Sequence, residues 1–205
     1  MVVTTADLVV GGAEATAAPA HLPLWRSLAD VIRCIGATAS LLGRHRVRQP
    51  TVRVDRRIRF ADGSSARIYR ETVVDRPVSE PAVLIVGFRL RGVRGVGHAL
   101  FRLESELNTP LFVGFPGFVS KLWLAIDQGG TYRGIYQWDG AEAAASYARA
   151  LWWVLALVCP TSSIHWVVLP GRWRDQVIEP SEGGTSRRPA EVGAGTWWRP
   201  IGVEP

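Results

Sequence analysis

The sequence predicts an α+β chain whose central part runs strand, helix, strand, strand, helix, strand. This is the ferredoxin-like βαββαβ order, an antiparallel sheet with both helices on one face. Three observations predict it. Residues 83–90 form a nearly continuous apolar run, as a strand buried on both faces requires. In residues 120–127 and 131–139 apolar and polar residues alternate loosely around Gly129-Gly130, a hairpin signature. Residues 98–107 and 141–159 read as helices, and the second places Ala144, Tyr147, Ala148, Leu151, Val154, Leu155 and Val158 on one broad apolar stripe.

Taken in order, residues 1–20 are rich in small side chains and are expected to be disordered. Residues 21–81 form an extension. A helix starts near Pro23, which suits a first helical position. Its stripe Leu24, Leu28, Val31, Ile32, Ile35, Ala39 and Leu42 is a docking face for the rest of the protein, and Gly43 can end it. Residues 51–74 read as a second hairpin turning at Asp62-Gly63, with arginines at intervening positions that keep one face wet. Residues 82–178 carry the central domain. In it the apolar loop 111–118, LFVGFPGF, is either a lid or a tightly packed crossover, and Pro160 stops the second helix before the last strand, residues 164–169. Residues 179–205 have no periodicity and read as a flexible tail. Trp197-Trp198 is unexpected there, because two indoles seek a surface, on this chain or on a second subunit.

The totals exclude several classes. A chain of 205 residues that is 47% hydrophobic and 20% charged can bury a real core. No apolar run approaches a membrane span, and the first 20 residues lack the pattern of a signal peptide, so the expected location is cytoplasmic. The charge of +6 comes almost wholly from arginines spread along the chain; with only the run Arg44-His45-Arg46-Val47-Arg48, neither nucleic acid nor a membrane surface is an expected partner. Cys34 and Cys159 read as buried thiols, and the four isolated histidines give no metal site.

The central hairpin holds the only lysine of the chain. A two-residue Gly129-Gly130 loop would set Trp123 opposite Tyr136 and Lys121 opposite Trp138, beside a gap at Gly134. Because side chains alternate with period two, Lys121, Trp123, Tyr136 and Trp138 would share a face. That face is either a pocket wall or core with the Lys121 ammonium at the sheet edge.

The segments FPGFVSKLWL (115–124), YRGIYQWD (132–139) and AEAAASY (141–147) resemble the YdhR-type branch of the antibiotic-biosynthesis monooxygenase-like dimeric α+β barrel proteins. The resemblance covers somewhat under half the chain. It implies a homodimer with a pocket in each subunit between sheet and helices, and oxygenation of phenolic polyketides without metal or flavin, so no cofactor. Members that degrade haem use an Asn, Trp and His set. Trp138 could match the Trp, but Tyr147 stands where a ligand histidine is wanted, so haem is not expected.

Cofactor-free oxygenation needs a base, a group that stabilises the substrate anion and a dry pocket. Lys121 is placed as the anion stabiliser, His165 as the base and Tyr136 beside them. Trp123, Trp138, Tyr147 and Arg89 are the candidate substrate-binding residues for a hydrophobic phenol or enol. Each has a plainer reading, as core residue or, for Arg89, as the mark of where burial stops. The same equipment would serve a cyclase or isomerase, and a dimer that only binds a ligand is the reading from another class.

Overall fold

The protein is described from a computed structural model covering residues 9–12, 46–92, 113–179 and 195–205. Its strands are β1 (Val9–Gly12), β2 (Val47–Arg48), β3 (Arg57–Phe60), β4 (Ser65–Val74), β5 (Pro81–Phe88), β6 (Phe118–Leu124), β7 (Tyr132–Asp139), β8 (His165–Pro170) and β9 (Pro200–Glu204). Helix α1 spans Ala141–Val158 and a short helix α2 spans Arg174–Ile178. The strands form one curled antiparallel sheet in the order β1-β8-β5-β7-β6-β4-β3-β9, with β2 against β4. The expected helices at 23–42 and 98–107 lie outside the described residues, as do Cys34 and His98. Among the described residues no helix is long and apolar enough to cross a membrane.

Strand β4 carries the curl. Its first residues, Ser65–Arg67, pair with β3, and its later ones, from Ile68 to Val73, pair with β6. The register breaks between Ile68 and Arg70 where the strand passes from one part of the sheet to the other, the usual work of a bulge. The Asp62-Gly63 turn forms as expected. Gly63 has φ +85, and Asp62 Oδ1 accepts from both the backbone and the hydroxyl of Ser64. The hairpin of the front region is therefore continuous with the central sheet and not an appendage to it.

Both faces of the sheet are buried. On the first face Leu84, Val86, Tyr136, Trp138 and Val168 pack with Ala144, Tyr147, Ala148 and Leu155 of α1. On the second face Val83, Ile85, Ile135, Val167 and Leu169 pack with Ile58, Phe60 and Ile68 of the curled part and with Ile178 of α2. Strand β5 reads as a continuous apolar run because alternate residues enter different cores, and β7 is buried along almost its whole length for the same reason.

Three segments depart from the expected organisation. Residues 9–12, expected to be disordered, form β1 on the edge of β8. Residues 200–204, expected in a flexible tail, form β9, where Ile58 faces Val203 and Arg59 pairs with Glu204 at 2.8 Å. Trp197 and Trp198 pack against the second core of this same chain. A short edge strand needs only a backbone ladder and a few apolar contacts, so neither segment shows periodicity of its own.

Helix α2 is too short to leave a pattern, and a buried polar cluster fixes it. The Arg174 backbone N–H donates to Gln137 Oε1 at 2.6 Å, and its guanidinium donates to Ser120 Oγ at 2.9 Å and pairs with Glu71 at 2.7 Å. Glu71 and Arg174 are both buried, so each charge depends on the other.

Deleting residues 195–205 should expose this second core. Losing the cover of two tryptophans is expected to cost at least about 3 kcal/mol in denaturant unfolding and to raise binding of a hydrophobic dye. Unchanged stability would show that the terminal strand merely rests on the sheet.

Candidate functional site

The central hairpin closes differently from the two-residue expectation. Asp127 N–H donates to the Thr131 carbonyl at 3.0 Å, Gly130 N–H to the Asp127 carbonyl at 3.1 Å, and Asp127 Oδ1 accepts from Thr131 N–H at 2.9 Å. The Asp127 carboxylate also takes the guanidinium of Arg133, and both side chains are buried. This ion pair selects a longer turn. Lys121 then faces Tyr136, Trp123 faces Gly134, and Trp138 faces Phe118 across an irregularity between Phe118 and Ser120. The expected pairs, Trp123 with Tyr136 and Lys121 with Trp138, do not form. The slip is two residues, and an even slip leaves every side chain on its face.

Lys121, Trp123, Tyr136 and Trp138 are thus gathered on the first face, and Tyr147 reaches them from α1. Lys121 Nζ stands 3.0 Å from the centroid of the Trp123 ring and 4.8 Å from that of Tyr136. Tyr147 lies 5.6 Å from Tyr136 and 5.0 Å from Trp138, ring to ring, and Phe115 meets its edge at 5.2 Å. The space expected beside Gly134 is occupied by the Tyr136 ring, since a Cβ there would come 2.8 Å from Tyr136 Cε2. Loop residues 113–118 form a packed crossover, with Val113 and Phe118 fully buried and Gly117 at φ +81 bonded to Asp139.

Strand β4 adds residues that the arginine-rich pattern of the front hairpin concealed. The Arg70 guanidinium is 5.2 Å from the Trp123 ring, Tyr69 is 6.3 Å from it, and Thr72 Oγ1 accepts from Trp123 Nε1 at 3.3 Å. The run Ile68-Tyr69-Arg70 loses strict alternation at the bulge, which is the one signal that could have marked them.

Burial, and then the charge of Arg70, hold the Lys121 amine well below its ordinary 10.5. Burial, with Tyr147 and Tyr69 nearby, holds the Tyr136 phenol well above 10. The indole N–H of Trp138 is enclosed with no hydrogen-bond acceptor among the described residues. The arrangement therefore brings together an amine whose charge burial disfavours, an adjacent guanidinium and a polar N–H, all within an aromatic enclosure.

His165 and Arg89 are not part of it. His165 shares the face of Val167 and Leu169, so it cannot serve as base to a substrate held beside Lys121. Arg89 also projects on that side, where its Nε donates to Thr131 Oγ1 at 3.1 Å. Both line a groove of about 370 Å³ with Asp62, Gly87, Arg133, Ser163 and Trp197. Alternation along β5 and β8 placed them there, and the single strand sequences do not say which face is which.

No family model, curated protein or solved structure matches this chain. Among the described residues no group of three His, Cys, Asp or Glu side chains could hold a metal ion. Cys159 is a buried thiol pushed up to about 11 by burial, so it is a poor nucleophile.

A lysine whose folded pKa lies below its unfolded value binds fewer protons when folded. Stability should therefore rise with pH from that lowered value up to about 10.5 and be flat below it. In Lys121→Met this slope should disappear, which unfolding free energies measured at several pH values in both proteins would show. An identical slope in the variant would mean that the ammonium is not desolvated.

Proposed function

We propose that this protein binds a hydrophobic phenol or enol between the first face of its sheet and α1 and removes a proton from it with Lys121. The observation that carries this reading is the buried Lys121 amine held over Trp123 beside Tyr136 and Arg70. A lowered pKa favours the neutral amine, the form that a general base requires. It takes the role that His165 loses by facing the other way, and Arg70 takes the role of stabilising the anion. The Trp138 N–H is a donor for a substrate oxygen, and the rings stack on a planar body.

The resulting phenolate or enolate is electron-rich enough to react with dioxygen directly. In such an oxygenation a ring CH₂ becomes C=O. One oxygen atom of O₂ enters the product, and the other leaves as water with the two hydrogens. The order β8-β5-β7-β6, antiparallel throughout, is that of a βαββαβ sheet. It supports reading the chain as a diverged, homodimeric relative of the family that residues 115–147 resemble. A cyclase or isomerase would use the same base without oxygen, and a non-catalytic dimer would not need it.

The test is turnover of a panel of polycyclic phenols with oxygen uptake recorded. Lys121→Met and Lys121→Arg should each lower the rate at least about 100-fold, because arginine keeps the charge but cannot act as a base. Turnover that continues under strict anaerobiosis would replace oxygenation by cyclisation or isomerisation. Full activity in Lys121→Met would remove the lysine from the mechanism.

A further inference from the structure

The groove on the second face stands apart from the Lys121 enclosure, and some of its polar groups are not consumed by the fold. The Arg133 guanidinium there is fully engaged. It binds Asp127, donates to Asp62 at 2.8 Å and to the Trp197 carbonyl at 3.2 Å, and lies 4.4 Å from the Phe60 ring centroid. Arg89 differs. Its backbone is tied to Ser163 and its Nε to Thr131, but its two terminal nitrogens have no hydrogen-bond or ion-pair partner among the described residues. The same is true of the Ser162 hydroxyl and the imidazole of His165, whose contact there is with the Trp197 ring at 5.8 Å.

The apolar side of the groove is built with equal specificity. Gly87 interrupts the otherwise large-residue strand β5, and the Trp197 ring occupies the space that a side chain would take, 2.8 Å from an ideal Cβ. The carbonyl bond from Arg133 holds Trp197 in place. A forked cation, a hydroxyl and an imidazole therefore surround the same space as a fixed indole. The volume, about 370 Å³, is at the small end of ligand sites.

We propose that this groove binds a small planar organic carboxylate, its oxygens on the terminal nitrogens of Arg89 with Ser162 and His165 as further donors, and its flat body against Trp197. A guanidinium fork matches a carboxylate in two parallel bonds, and an indole face favours a planar partner over a puckered one. Asp62 also lines the groove, but its carboxylate is engaged by Arg133 and Ser64. The site is independent of the Lys121 chemistry.

Benzoate is the probe, with cyclohexanecarboxylate and inorganic phosphate as comparisons, titrated into the full chain and followed by NMR of the indole N–H signals. Benzoate should bind with a Kd on the order of 1 mM, as expected for one ring and one ion pair. Arg89→Met should weaken it about tenfold or more, and Trp197→Leu should erase the preference for benzoate over cyclohexanecarboxylate. Lys121→Met should leave binding unchanged, so that failure of the catalytic reading and failure of this one remain distinguishable. No saturable binding of benzoate, undiminished binding in Arg89→Met, or phosphate binding as tightly as benzoate would each overturn the assignment. Arg89 is exposed near a strand end, so its variant tests the site without threatening the fold.

Discussion

A sheet buried on both sides constrains everything else in this protein. Each residue of β5, β7 and β8 belongs to one of two interiors by its parity in the strand, and a change of parity would exchange core for core. The constraint explains why the central hairpin tolerates a different turn. Closing at Asp127 and Thr131 moves the register by two, which changes neighbours but not faces. A slip of one would have sent Lys121 toward Ile135 and the second core.

The second interior is held by charges as much as by apolar contacts. Arg133 connects the turn at Asp127, the turn at Asp62 and the backbone of Trp197, and Arg174 connects α2 to Glu71, Ser120 and Gln137. Both guanidiniums have a carboxylate close by, as burial demands, and each fixes a segment that has little apolar surface of its own. Lys121 has the Trp123 and Tyr136 rings beside it and Arg70 as a neighbouring cation.

Parity also separates two groups of side chains that appear together in a list of reactive residues. Lys121, Tyr136, Trp138 and Tyr147 converge under α1, while Arg89 and His165 converge with Trp197 on the far side of the sheet. The partition sets Lys121 and Arg70 together on one face and leaves the Arg89 groove on the other.

The sequence by itself determined β5, the central hairpin, α1, the last strand and the Asp62-Gly63 turn, because in each of these the pattern is local: alternation, helical spacing or a turn residue. It also determined that Lys121, Trp123, Tyr136 and Trp138 share a face, since that follows from period two and survives an even slip. Only the tertiary structure decided that His165 and Lys121 lie on opposite faces, that Arg70 and Thr72 join the lysine, and that Trp197 lies over Gly87. These depend on which strands are neighbours and where β4 bends. Strand β9 and helix α2 were likewise invisible, because five residues stabilised by a distant ladder or a buried ion pair carry no periodicity of their own. Pairing between segments more than 100 residues apart, such as Ile58 with Val203, is a property of the folded chain that no local pattern encodes.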